Sequence, residues 1–188
     1  MITCNSFLES GGAISMPDVV DSSTRSRMMR AIKGRDTHPE IALRKYLHAQ
    51  GYRFRLHRKD LPGSPDLVLP LHNLVIFVHG CFWHRHAGCF YATTPGTRPS
   101  FWEAKFEANV RRDQRACQEL KQLGWRVLVV WECGFKHCRK QLSDIPELIQ
   151  AVNLYQEWPS RPPSFALPSL AFLRDGTRYR TQPSPDGV

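Results

Sequence analysis

The sequence predicts an α/β domain, a mixed central sheet with helices on both of its faces. Leu67-Val68-Leu69 and Leu74-Val75-Ile76-Phe77-Val78 are apolar runs rich in β-branched residues, with the length of strands buried on both faces. Consecutive in the chain, they should be adjacent, antiparallel and central. An amphipathic pattern from Phe101 to Leu123 then leads through Gly124 into Trp125 to Trp131, another buried strand. A helical connection makes that strand parallel to a neighbour. At 188 residues the chain can bury one core, so a single domain with tails is expected.

Residues 1–17 show no clear periodicity and are expected to form a disordered tail; the domain spans residues 18–158, and residues 159–188 form a proline-rich tail. Ser22-Ser23-Thr24 offers caps to a basic helix from Arg25 to Lys33, which Gly34 stops. Its arginines, Arg25 and Arg30 among them, either contact phosphates or form a solvated face. Thr37-His38-Pro39-Glu40 is a capping box that opens a helix through Ile41, Leu43, Tyr46 and Leu47, ending at Gly51. Tyr52 to His57 alternates aromatic or apolar with basic residues, as a half-buried strand does.

Pro62-Gly63-Ser64-Pro65 marks a turn, because proline fixes φ and glycine tolerates positive φ, and so Asp66 sits where a strand begins. On the long helix, Trp102, Phe106, Val110, Ala116, Cys117 and Leu120 supply an apolar stripe, with Lys105, Asn109, Arg112 and Asp113 on or beside the polar face. Glu132 and Cys133 end the strand that follows. Asp144 to Trp158 reads as a last helix.

The net charge of +9 favours a polyanionic partner, for which nucleic acid is the commonest choice. No apolar run approaches the roughly 18 residues of a membrane span, and the amino terminus lacks a charged segment followed by an apolar stretch. A cytoplasmic protein is therefore expected, with no membrane partner. In a reducing compartment, clustered Cys with His indicates metal more than disulfides. Cys81-x4-His86-x2-Cys89, with Cys133 at a strand end, would supply three thiolates and one imidazole, a closed tetrahedral zinc shell with no position left for water. Asp66 and the carbonyl end of the Val78 strand could hold Mg²⁺ for phosphodiester cleavage. Glu40, Asp113 and Glu132 could hold the ion's waters or serve plain structural roles. Phe82-Trp83, adjacent aromatics beside Gly80 and the cysteines, imply an exposed loop with something to bind.

The segments PGSPDLV, VIFVHGCFWHRH, FWEAKFEANVRRD and LGWRVLVVWEC, in this order, resemble the very-short-patch repair (Vsr) DNA mismatch endonucleases over roughly residues 18 to 145. The resemblance implies a fold like that of type II restriction enzymes of the PD-(D/E)xK class, with a zinc-bound loop. It also implies a bacterial, monomeric enzyme of the nucleoid that uses Mg²⁺ to nick duplex DNA 5′ to the thymine of a T·G mismatch, with other repair proteins as possible recruiters. Such mismatches arise by deamination of 5-methylcytosine. By motif, Asp66 matches the family's metal-binding aspartate and Val78 the position whose backbone carbonyl completes that site. Valine stands where the family has threonine, which keeps the carbonyl and removes a hydroxyl. His79, His84 and Glu40 match catalytic-site residues, and Cys81, His86, Cys89 and Cys133 the zinc ligands. Phe82, Trp83 and Trp102 match the aromatic wedge that enters the DNA stack, and Met29 the residue that enters from the other groove. The interval from His86 to Cys89 is one residue longer than the family pattern. Two other functions share these features: a zinc-containing module that binds distorted DNA without cutting, and a restriction-type endonuclease acting on matched sites.

Overall fold

The computed structural model describes residues 15–16, 23–24, 27 and 34–163. The basic helix expected from Arg25 to Lys33, with Arg25, Met29 and Arg30, therefore lies outside the described residues apart from Arg27, as do most of the two expected tails. The described elements are β1 (Ser15–Met16), α1 (His38–Ala49), β2 (Arg55–Leu56), β3 (Leu67–Leu69), β4 (Leu74–His79), α2 (Cys81–His84), β5 (Thr94–Pro95), α3 (Pro99–Gln122), β6 (Arg126–Trp131), α4 (Glu132–His137), α5 (Asp144–Gln150) and β7 (Tyr155–Trp158). Short 3-10 turns cover Pro70–His72 and Arg139–Ser143. Among the described residues no helix is long and apolar enough to cross a membrane.

Five strands form the central sheet in the order β2-β3-β4-β6-β7. β3 pairs antiparallel with β4, and β6 pairs parallel with both β4 and β7, so the sheet is mixed and β4 is its middle strand. Successive residues of these strands face opposite sides. Leu67, Leu69, Leu74, Ile76, Leu128 and Val130 pack with Leu43 and Leu47 of α1 and Ile145 and Ile149 of α5. Val68, Val75, Val127 and Val129 pack on the other side with Leu120 of α3. Both faces are covered, which is why these strands read as continuous apolar runs. Ser15–Met16, inside the expected tail, pairs in parallel with Thr94–Pro95.

Two expectations need correction. The strand expected over Tyr52 to His57 shrinks to Arg55–Leu56 at the sheet edge, because only these residues find partners in β3, at Val68 and Leu67. Tyr52 and Phe54 do pack against the core. The helix expected from Asp144 to Trp158 ends at Gln150, and Tyr155–Trp158 instead adds to the open edge of β6. Its alternating burial, with Gln156 and Trp158 inside, is that of an edge strand. Trp158 lies so close to α4 that a Cβ on Gly134 would sit 2.3 Å from its ring. Gly134→Ala should accordingly lower stability by about 1–3 kcal/mol, measured by denaturant melting.

Candidate active site

The parallel strands β4 and β6 end side by side at His79 and Trp131, and functional groups collect beyond those carboxyl ends, as in other open α/β sheets. Here a cleft of about 1150 Å³ is lined by Glu40, His57, Asp66, Val78, Trp83, His84 and Asp113, with other residues. The Pro-Gly turn sets one wall. Gly63 has φ +73°, and a Cβ there would lie 2.7 Å from the Ala116 side chain of α3, so only glycine allows this close approach.

The turn delivers Asp66 to the start of β3, where its Oδ2 accepts the Val78 N–H at 2.8 Å. A residue's N–H and C=O point to the same edge of a strand, so the Val78 carbonyl faces the Asp66 side as well. Burial pushes the Asp66 carboxyl up to about 6; the Val78 N–H opposes this, and the negative charge of Glu40 adds to it. Glu40 closes the expected capping box: Oε1 accepts the Thr37 N–H at 3.4 Å and the Thr37 hydroxyl at 2.7 Å. Its Oε2 accepts the Asp36 N–H at 3.0 Å and Arg44 Nη2 at 2.8 Å. All four lone-pair positions of this buried carboxylate are thus engaged.

Across the cleft, the imidazoles of His79 and His84 stack at 3.8 Å with 9° between their planes. His84 Nδ1 lies 2.5 Å from Asp113 Oδ2. An ionised carboxylate only accepts, so the proton is on Nδ1 and the Nε2 lone pair of a neutral ring is free. Burial holds His79 well below the usual histidine range, with the neighbouring His84 imidazole and Arg112 guanidinium adding to the effect. Glu132, also lining the cleft, pairs with Lys136 at 2.6 Å.

α2 carries Phe82 and Trp83, both half-buried, in edge-to-face contact at 5.0 Å. Trp102 does not stand out beside them: it is 7% exposed, enclosed by Phe82, Phe101 and Phe106 at centroid distances of 5.4–5.7 Å. Phe101, which the sequence did not single out, is 51% exposed. Lys105 lies over the Trp83 ring at 5.4 Å, and Asn109 donates to the Trp83 carbonyl at 3.1 Å.

Beside this cluster, Cys81, His86, Cys89 and Cys133 are all buried, with ligand atoms within 4.8 Å of one another. His86 Nδ1 lies 3.7 Å from Cys81 Sγ and 3.4 Å from Cys133 Sγ. A zinc with bonds of about 2.3 Å to sulfur and about 2.0 Å to nitrogen at tetrahedral angles would set a sulfur and a nitrogen about 3.5 Å apart, so the spacing fits. The longer interval is taken up by a tight turn: Cys89 N–H donates to the His86 carbonyl at 3.1 Å and Gly88 has φ +69°. A hydrogen bond from Cys133 holds the Cys81 thiol down to about 4, whereas Cys133 is pushed up by that same contact and Cys89 by burial. Three thiolates cannot coexist here unless a cation compensates them. Cys117 and Cys138 stand outside the cluster.

Sequence reading thus named most of the residues that meet here. It missed Arg44 and His57, although an arginine four residues after Glu40 on a helix was a legible ion-pair signal.

A family model described as DNA mismatch endonuclease Vsr matches residues 17–90. The chain is 49% identical over 133 residues to the type II nicking enzyme V.XorIIP of Xanthomonas oryzae pv. oryzae, covering 71% of this chain and 92% of that protein. It is 49% identical over 129 residues to the DNA mismatch endonuclease Vsr of Escherichia coli, covering 69% and 81%. To the type II nicking enzyme V.NmeAIP of Neisseria meningitidis it is 40% identical over 131 residues, covering 68% and 93%. With 40–49% of the aligned residues shared across 81–93% of these relatives' length, the chain belongs to the Vsr family of DNA mismatch endonucleases.

Proposed function

We propose that this mismatch endonuclease of very-short-patch repair nicks duplex DNA 5′ to the thymine of a T·G pair, with Mg²⁺ at Asp66 and a structural zinc at the Cys3His cluster. One observation carries the reading: a single cleft faces Asp66, fixed by a backbone N–H, toward His84, fixed by Asp113, with the Trp83 ring at its rim. Asp66 Oδ1 and the Val78 carbonyl would hold the divalent ion, which would supply charge neutralisation at the scissile phosphate. His84 Nε2 takes the proton of the attacking water, and Asp113 stabilises the imidazolium that results. His79, kept neutral by burial, packs against His84 and holds its ring in place. Glu40 secures the start of α1 and adds negative charge beside Asp66. The zinc would tie α2, which carries Phe82, Trp83 and His84, to Cys133 at the end of β6. With three thiolates and one imidazole it has no open position for water.

Recognition rests on the aromatic cluster. Inserting rings between base steps costs a few kcal/mol of unstacking per step, and a T·G wobble pair lowers that cost relative to a matched pair. Trp83→Ala should remove stacking worth about 1–3 kcal/mol. The variant should remain folded with zinc retained, and its affinity ratio for T·G over T·A duplexes should drop. An unchanged ratio in a folded protein would remove Trp83 from recognition. The reading as a whole is tested by incubating the chain with Mg²⁺ and a duplex carrying one T·G pair in varied flanks, mapping the nick on each strand. Cleavage of matched duplex at equal rate would favour restriction-type activity, and binding with no cleavage would favour a recognition module.

A further inference from the structure

His57 lies outside the residues to which the family motifs point, yet four features of its surroundings converge on the cleft. It follows β2 with φ +46°, in the left-handed region that residues bearing a side chain adopt only when the surroundings impose it. Its N–H donates to the Asp66 carbonyl at 3.4 Å. Its Nε2 lies 3.0 Å from Arg44 Nη2. A guanidinium has donors only, so Nε2 must accept and the ring proton is on Nδ1. That Nδ1 faces Asp66 Oδ1 at 4.0 Å, the carboxylate oxygen that the Val78 N–H leaves free. Arg44 is itself anchored, 13% exposed and paired with Glu40 and Asp36.

We propose that His57 is a positioning residue for the nicking reaction: Arg44 fixes its tautomer, and the resulting Nδ1–H orients Asp66 Oδ1 toward the catalytic cation. The inference rests on the reading of Asp66 as the residue that holds that cation. Val78 would hold Oδ2 by a hydrogen bond, and the Nδ1–H of His57, 4.0 Å from Oδ1, would steer that oxygen electrostatically. Partners of this kind around a metal ligand set metal affinity or activity by about 10–100-fold. Because such partners act on the carboxylate and not on the DNA, duplex affinity should change little.

The test compares His57→Phe, which keeps bulk and removes both nitrogens, with His57→Asn. The amide of Asn places an N–H where Nδ1 stood, and Asn tolerates left-handed backbone. Three quantities are read: nicking of the T·G duplex as kcat and KM against Mg²⁺ concentration, Mn²⁺ affinity of the DNA-free protein by calorimetry, and Tm. The Phe protein should lose about tenfold in kcat and in Mn²⁺ affinity, with KM for the duplex unchanged, and the Asn protein should recover most of both. Should the Phe protein not fold, His57→Ala, which adds no bulk, carries the same expectation. A folded Phe or Ala protein with native kcat and native Mn²⁺ affinity overturns the proposal. So does an Asn protein as impaired as the Phe protein with Tm and KM moving together, the mark of a structural role alone. Asp66→Asn separates the two levels: if it nicks normally the reading of the site fails, and if it is inactive while His57→Phe behaves as native, only the role of His57 fails.

Discussion

Asp66→Asn should abolish nicking by orders of magnitude in kcat while leaving affinity for a T·G duplex nearly unchanged. The amide keeps the shape of the carboxylate and can still accept the Val78 N–H, but it carries no charge with which to hold Mg²⁺. The aromatic and basic residues proposed to bind DNA are unchanged in this variant. The same substitution should raise stability, and the sign follows from proton linkage. Burial lifts the carboxyl from 3.8 to about 6, so the native state binds this proton more tightly than the unfolded chain does. The group's contribution is fully present below its unfolded value and is lost as pH rises through about 6. A displacement of that size corresponds to about 3 kcal/mol. Measured by denaturant melting without added Mg²⁺, Asp66→Asn and the native protein should match below about pH 4, diverge as pH rises from about 4 to about 6, and differ by a constant amount above about pH 6, with the variant the more stable. A carboxylate kept where it costs stability is what a cation site requires. Comparable nicking by the Asn protein would rule out Asp66 as the metal holder, and equal stability at every pH would rule out the raised carboxyl.

The second large effect is expected at the Cys3His cluster. Cys133→Ala should lose zinc and folded structure together. Cys133 enters from the start of α4, 47 residues beyond His86, whose Nδ1 lies 3.4 Å from its sulfur, so the metal would join chain segments that are distant in sequence. Structural zinc in small peptides contributes about 10–16 kcal/mol of apparent binding energy, comparable with or larger than the roughly 5–15 kcal/mol by which whole domains are stable. Elemental analysis of the native chain should find about one zinc per molecule. The variant should be zinc-free and should show a lowered or absent melting transition. His86 also stacks on Trp131, at 4.1 Å and 3°, and Trp131 contacts His79 edge-on at 5.4 Å. Loosening the cluster should therefore reach the histidines even where some fold survives. A variant that keeps stoichiometric zinc would remove Cys133 from the ligand set.

What could be read in advance depended on local physics. The apolar runs of β3, β4 and β6 require cover on both faces whatever lies around them. The Pro-Gly turn fixes where Asp66 begins its strand, and the Thr37–Glu40 box fixes where α1 starts. Cys81, His86 and Cys89 lie close enough in sequence to share a ligand set, and Phe82-Trp83 stands between them. By itself the sequence therefore determined a mixed α/β domain, a carboxylate at a strand start and a Cys/His cluster beside adjacent aromatics, and through its motifs a mismatch-nuclease relationship. The tertiary structure decided the rest, because the remaining contacts join residues far apart in the chain and no local period encodes them. Tyr155–Trp158 became a strand because β6 presents an open edge, which outweighs the helical continuation past Gln150. His84 meets Asp113 across 29 residues because α3 crosses α2, and this pairing selects the nitrogen free to accept a proton. Glu40 was legible as a cap, and Arg44, one helical turn on, as the partner of its other oxygen; only the tertiary structure brought the His57 ring, 13 residues away, to that guanidinium. His57 reads in the sequence as the end of a strand; the left-handed turn after β2 and the depth of Asp66 place its ring at the carboxylate.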